Sequence, residues 1–121
     1  MKISVPISVG ELIDKITILE IKGEKIKDEE KLENINHELE ELSSIMKDDE
    51  YKSQLKSINE KIWDIEDRVR DCERKGDFGK EFIETARSVY KFNDERARIK
   101  YEINKKFNSS IVEEKSYSKY E

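Results

Sequence analysis

The sequence contains few of the residues that interrupt helices or cross-link chains. Its only cysteine, Cys72, excludes a disulfide within the chain and fits a reducing compartment, so a cytoplasmic location is expected. One proline and four glycines favour helices over a β-fold. No apolar run approaches the roughly 20 residues of a membrane-spanning helix, so we expect no membrane partner.

Positive charge is too scarce for a typical nucleic-acid-binding protein. Lys and Arg number 24 against 29 Asp and Glu, which gives a formal net charge of −5. A protein that neutralises phosphates usually carries a basic patch or stripe. We therefore expect no nucleic-acid partner.

What the sequence does contain is charge arranged around short apolar stripes. Charged residues make up 44% of the chain and the mean hydropathy is −0.91, a composition that also occurs in disordered chains. The apolar residues nevertheless recur at the i, i+3, i+4 and i+7 spacing of amphipathic helices. We therefore predict one folded helical domain over residues 1–121.

Start signals and apolar periodicity predict an all-α antiparallel bundle of about four helices, with two long C-terminal helices. Ser8 and Glu11 form a capping-box pattern, and Asp28 can cap the second helix. The third helix repeats apolar residues over about two and a half heptads, a little short of the three to four of a clear coiled coil. The second and third helices are expected to pair as an antiparallel hairpin. The predicted boundaries are an extended arm over 1–8, helices over 9–26 and 80–107, a turn at 47–50 between the two middle helices, a loop at 74–79 and a tail over 109–121.

The last predicted helix carries polar residues in the middle of its apolar seam. In the stretch SVYKFNDERARIKYEIN, Arg96 lies between Val89 and Ile103 on the core face, with Asn93 close by. A buried arginine needs a carboxylate, because leaving it unpaired costs several kcal/mol. Glu20 of the first helix is the preferred partner and Glu66 of the third is the alternative.

Two interpretations of this polar position stay open. A buried ion pair would fix the register of the helices or the orientation of an oligomer. Alternatively, a polar pocket would bind a small anion or a polar metabolite, with Arg96 as its charged group. The residues predicted to form such a binding site are Glu20, Glu66, Arg70, Tyr90, Asn93 and Arg96.

The acidic residues do not complete a metal-binding motif. Glu29, Glu30 and Glu33 match the first half of the Mg²⁺-binding pattern of all-α nucleotide pyrophosphohydrolases. The second half requires Glu-x-x-Asp, but Trp63 follows Glu60 at that spacing. Half a motif is expected by chance among 29 acidic residues. We therefore expect no catalytic residue, no cofactor and no metal site.

The first predicted helix is apolar on more than one face. Ile18 and Ile21 fall outside its main apolar stripe, so this helix is either central in the domain or buried a second time against a partner. Trp63 lies off the seam of the third helix, and tryptophan is enriched in interfaces. We therefore predict a homodimer and an interface that includes Ile18, Ile21 and Trp63.

Five segments of the chain resemble, in the same order, a family of short bacterial and phage proteins, domain of unknown function 6165. The segments are PISVGELIDKITILEIK, KLENINHELEEL, IWDIEDRVRDCE, FIETARSVYKFNDERARIKYEIN and EEKSY. The resemblance covers nearly the whole chain and implies a stand-alone helical protein. It also implies a link to surface-glycan or glycosyltransferase genes, but it supplies no activity and no catalytic residue.

The function expected from these observations is that of a non-catalytic helical interaction or accessory module. The resemblance adds a link to surface-glycan biosynthesis, with a glycan-building enzyme as a partner. The alternative is a small-molecule-binding protein or an enzyme with a polar pocket around Arg96. A solvent-reachable concavity at Arg96 with convergent hydrogen-bond donors would favour the pocket, and an Arg96 sealed by Glu20 or Glu66 with no void would count against it.

Overall fold

Four helices account for most of the residues that the structure describes. The computed structural model describes residues 1–46 and 50–119, so most of the predicted turn at 47–50 and the last two tail residues lie outside it. The described residues contain no strand, and none of their helices is long and apolar enough to cross a membrane. The all-α prediction is confirmed. The helices are α1 (Val9–Lys25), α2 (Glu29–Ser43), α3 (Glu50–Lys75) and α4 (Lys80–Lys106).

The predicted helix boundaries follow local chemistry. The Ser8 hydroxyl accepts a hydrogen bond from the Glu11 amide at 3.1 Å, and an Asp28 carboxylate oxygen accepts one from the Lys31 amide at 3.0 Å. The loop after α3 turns at Gly76, whose φ of +66° is a left-handed conformation that glycine adopts without strain. Residues 1–8 precede α1 and contain no helix or strand.

α1 is the central helix of the domain. It packs against each of the other three helices, whereas α2, within residues 1–46 and 50–119, packs closely only against α1. The most extensive packing joins α3 and α4, which follow each other through a short loop. The predicted hairpin of α2 and α3 is therefore wrong, because α2 packs against α1 instead of α3.

The main core lies where α1, α3 and α4 meet. Its fully buried side chains come from all three helices, and partly buried aromatic rings close its edges. On α4 these core residues belong to the predicted apolar seam. The buried members are Ile13, Leu55, Ile58, Ile99 and Ile103, with Val9, Tyr51, Ile62, Phe92 and Phe107 packed around them.

The N-terminus of α1 is held against the C-terminus of α4. The backbone of α1 approaches so closely at Gly10 that a Cβ there would lie 2.6 Å from the carbonyl oxygen of Lys100. Amides at the start of a helix have no partner within the helix, and here three of them donate to side chains. The Val9 amide donates to Ser109 Oγ at 3.2 Å, the Gly10 amide to Asn104 Oδ1 at 2.7 Å, and the Glu11 amide to Ser8 Oγ.

Candidate functional site

A carboxylate buried in α1 meets two cations from α4. Asp14 is 1% exposed, and its Oδ2 lies 3.0 Å from Nη2 of Arg96 and 3.8 Å from Nζ of Lys100. Arg96 and Lys100 are four residues apart and therefore share one face of α4. The predicted inward position of Arg96, opposite a carboxylate, is confirmed.

Two further side chains fix the orientation of Asp14. Asn59 of α3 donates its Nδ2 hydrogens to Asp14 Oδ1 at 2.8 Å and to Thr17 Oγ1 at 2.9 Å. The Thr17 hydroxyl donates in turn to the carbonyl oxygen of Asp14 at 2.7 Å. Among the described residues, no buried side-chain nitrogen or oxygen lacks a hydrogen-bond partner. The cluster therefore connects α1, α3 and α4 through satisfied polar groups.

Lys100 extends this cluster to the solvent. Its side chain is 11% exposed, and Nζ lies 2.6 Å from Glu11 Oε2 and 3.7 Å from Glu113 Oε1 of the tail. Burial acts to raise the pKa of the Glu11 carboxyl, but the hydrogen bond and charge of Lys100, together with smaller contributions from Glu113 and Lys15, outweigh it and lower that pKa. Glu11 therefore binds Lys100 rather than completing the predicted capping box with its carboxylate.

Both predicted carboxylate partners of Arg96 are wrong. Glu20 lies on another side of α1, where its carboxylate is 3.0 Å from Nζ of Lys52 on α3. Glu66 accepts a hydrogen bond at 2.6 Å from Arg70, one turn further along the same helix. The acid that pairs with Arg96 is one that the sequence interpretation did not consider.

Arg96 also lines an open groove beside the cluster, so it is not sealed. The groove encloses about 360 Å³, and the Arg96 side chain is 30% exposed. Apolar side chains of α1 and α3 and charged side chains of α3 form most of its walls. The lining residues are Ile18, Ile21, Asn59, Ile62, Trp63, Glu66, Asp67, Arg70 and Arg96, and we call this feature the Arg96 groove.

The Arg96 groove brings together two groups of residues that were predicted separately. It contains three of the six predicted binding residues, Glu66, Arg70 and Arg96. It also contains all three predicted interface residues, Ile18, Ile21 and Trp63. Of these, Ile21 is only 1% exposed in the single chain, so it contributes to the floor rather than to the rim.

The remaining predicted binding residues lie elsewhere. Glu20 pairs with Lys52, and Tyr90 and Asn93 are α4 residues that do not line the Arg96 groove. Sequence reasoning missed Asp14 and Asn59. A signal for Asp14 was present, because Gly10, Asp14 and Thr17 repeat at the 4-3 spacing of one helix face, a small and polar stripe within an apolar helix.

The single cysteine and the single histidine of the sequence do not line the Arg96 groove. Cys72 is buried, and desolvation, together with nearby carboxylates, raises the pKa of its thiol. His37 is exposed on α2. In the part of the chain that the structure describes, no three or more His, Cys, Asp or Glu side chains are grouped so that they could hold a metal ion.

Comparison with protein-family models identifies a family that matches the chain. The model of a family described as "Family of unknown function (DUF6165)" matches residues 1–120. This agrees with the resemblance carried by the five sequence segments. No curated protein and no solved structure shows significant similarity to the chain.

Proposed function

The chain belongs to this family of unknown function, and we propose that it is a non-catalytic interaction module that holds a helical segment of a partner protein in the Arg96 groove. The observation that carries this proposal is that one groove combines exposed apolar surface with charged groups. Apolar grooves that receive amphipathic helices are a common mode of peptide recognition.

The shape of the Arg96 groove suits a helix. Its α3 wall uses Asn59, Ile62, Trp63, Glu66, Asp67 and Arg70, which repeat at the spacing of a single helix face. From residue 59 to residue 70 this wall extends about 16 Å at 1.5 Å per residue. That length matches about three turns of a docked helix.

Trp63 and Ile18 supply the apolar surface that such a helix would cover. Both are only partly buried in the single chain, and both line the groove. Tryptophan in a partly covered pocket is a frequent centre of binding energy in protein interfaces. The charged residues around it, Glu66, Asp67 and Arg70, would form the polar rim.

Site-specific photo-crosslinking in the native host would test this proposal. A photoreactive residue at position 67, on the groove, is expected to capture a defined segment of one partner, whereas the same residue at the exposed position 38 on α2 is not. The captured segment, made as a peptide, should become helical on binding. Equal capture from both positions would refute the proposal.

Variants of the groove then measure the interaction directly. Ile18→Asp is expected to weaken binding of that peptide at least tenfold. Ile83→Asp, an exposed apolar residue of α4 outside the groove, is the matched control and should leave binding unchanged. Trp63→Ala provides a second groove variant if Ile18→Asp lowers the helix content. If neither groove variant weakens binding of the peptide, the proposal is contradicted.

Two other occupants are outcomes of the same experiments. Capture of a second copy of the chain would replace the partner protein by a homodimer. Capture of a glycan-building enzyme would support the accessory role in surface-glycan biosynthesis that the family resemblance implies.

A small molecule is a second candidate ligand. The groove volume of about 360 Å³ falls at the lower end of the range of ligand pockets. If a metabolite rather than a protein occupies the groove, position 67 should capture no protein segment, and native mass spectrometry of the protein from its host should show a bound small molecule.

A further inference from the structure

Arg96 has hydrogen-bonding capacity that the protein does not use. A guanidinium carries five N–H donors on three nitrogens. Among residues 1–46 and 50–119, only Asp14 provides an oxygen within ion-pair distance of it, at 3.0 Å from Nη2. The remaining donors belong to a side chain that lines the Arg96 groove and is 30% exposed.

The buried cluster holds this guanidinium in place. Asp14 is itself fixed by Asn59, which donates to it at 2.8 Å. Arg70, the other arginine of the groove, is bound to Glu66 at 2.6 Å, and its side chain is more exposed than that of Arg96. The Arg96 side chain therefore loses little conformational entropy when its unused donors bind an acceptor, and this favours binding.

From this geometry we infer that Arg96 binds a carboxylate, carried by an aspartate or glutamate of the docked helical segment. This inference rests on the proposed function, since it names the group that the groove recognises. Asp14 contacts one edge of the guanidinium through Nη2, and the other edge, which uses the second Nη2 hydrogen and a neighbouring nitrogen, presents two parallel N–H groups that match the two oxygens of a carboxylate.

A monoanion fits this groove better than a phosphate. Glu66 and Asp67 line the same groove, and Asp14 already supplies one negative charge to Arg96. A phosphate dianion would meet stronger repulsion from these carboxylates than a single carboxylate does. The expected ligand therefore carries a carboxylate beside an apolar surface of its own, and that apolar surface would pack on Trp63.

Small probes with one apolar body and different head groups test the inference. We would use 4-phenylbutyrate, 4-phenylbutan-1-ol, 4-phenylbutylamine and 3-phenylpropylphosphonate. Trp63 is the only tryptophan of the chain, so the position of its indole N–H signal in proton–nitrogen NMR spectra reports binding in the groove. The carboxylate is expected to bind about tenfold more tightly than the other three probes.

Two arginine variants show which residue is responsible for the preference for the carboxylate probe. Arg96→Lys keeps a cation for Asp14 but removes the guanidinium fork, and it is expected to abolish the tenfold preference. Arg98→Lys is the matched control, since Arg98 is an exposed α4 residue that pairs with Glu95 outside the groove. The preference should survive in that variant.

The outcomes separate this inference from the proposed function. Equal binding of all four probes, or no binding, would overturn the assignment of a carboxylate to Arg96. The proposal that a helical segment docks in the groove would remain, because the crosslinking experiment tests it separately. Tighter binding of the phosphonate would overturn the carboxylate assignment as well. Binding of 4-phenylbutyrate at low micromolar concentration would overturn the assignment to a side chain and indicate a free metabolite, because a probe of this size rarely binds so tightly by one contact.

Discussion

Replacing Asp14 by asparagine tests whether the buried cluster determines the packing of the three-helix core. The asparagine keeps an oxygen for Asn59 but loses the charge that Arg96 and Lys100 contact at 3.0 and 3.8 Å. Its amide N–H groups would face those cations. Breaking a fully buried ion pair costs about 3–5 kcal/mol.

The loss of stability expected for Asp14→Asn is smaller than for a fully buried ion pair. The Arg96 side chain is 30% exposed and can regain water, and Lys100 keeps Glu11 at 2.6 Å. We therefore expect Asp14→Asn to lower the free energy of unfolding by about 2–3 kcal/mol. With a typical urea dependence of about 2 kcal/mol per molar, the midpoint should fall by about 1–1.5 M.

Urea unfolding followed by far-ultraviolet circular dichroism and Trp63 fluorescence measures this change. The matched control is Glu24→Gln, the same acid-to-amide change on α1, at a residue that is 2.6 Å from Lys56 but exposed. An exposed pair of this kind contributes about 0–1 kcal/mol. If both variants lose the same small amount, the reasoning that burial makes the Asp14 cluster important is refuted.

Three further predictions concern other positions. Gly10→Ala should destabilise the protein by about 1–3 kcal/mol, because the added Cβ meets a backbone oxygen at 2.6 Å. Gly23→Ala, the control, has open space around it and should stabilise the protein by up to about 1 kcal/mol. Equal unfolding midpoints for the two variants would contradict the close approach at Gly10. The lowered pKa of Glu11 means that its contribution is present above its usual value of 4.5 and is lost as the pH falls through the folded-state pKa, so acid titration of wild type should show a steeper loss of stability than titration of Glu11→Gln. Burial of Cys72 and the raised pKa of its thiol should make labelling by a thiol reagent more than tenfold slower in buffer than in urea, and equal rates would show that the thiol is accessible.

The helices themselves could be predicted because their signals are local. Caps such as Ser8 and Asp28 act on amides three residues away, and apolar spacing depends only on the turn of one helix. The inward direction of Arg96 followed from the same geometry. The prediction failed where it required the relative placement of two helices.

The partner of Arg96 and the position of α2 show why. A helical projection gives the direction of a side chain around its own helix but not which face meets a given neighbour. The prediction used the face of α1 that carries Glu20, whereas Arg96 meets the face that carries Asp14, about a third of a turn away. Gly10, one turn before Asp14 on the same face, lies against the backbone of α4. Likewise, the apolar pattern of α2 fits a partner on α1 or on α3, and in the structure α2 packs against α1.

The caps of α1 have a consequence for the order in which the chain can fold. The amides of Val9 and Gly10 donate to side chains 100 and 94 residues further along, Ser109 and Asn104. During synthesis the start of the first helix therefore remains incomplete until the last helix has left the ribosome. Contacts of such long sequence separation slow folding, and a chain shortened before residue 104 would leave both amides and the surface of α1 open to association with other chains.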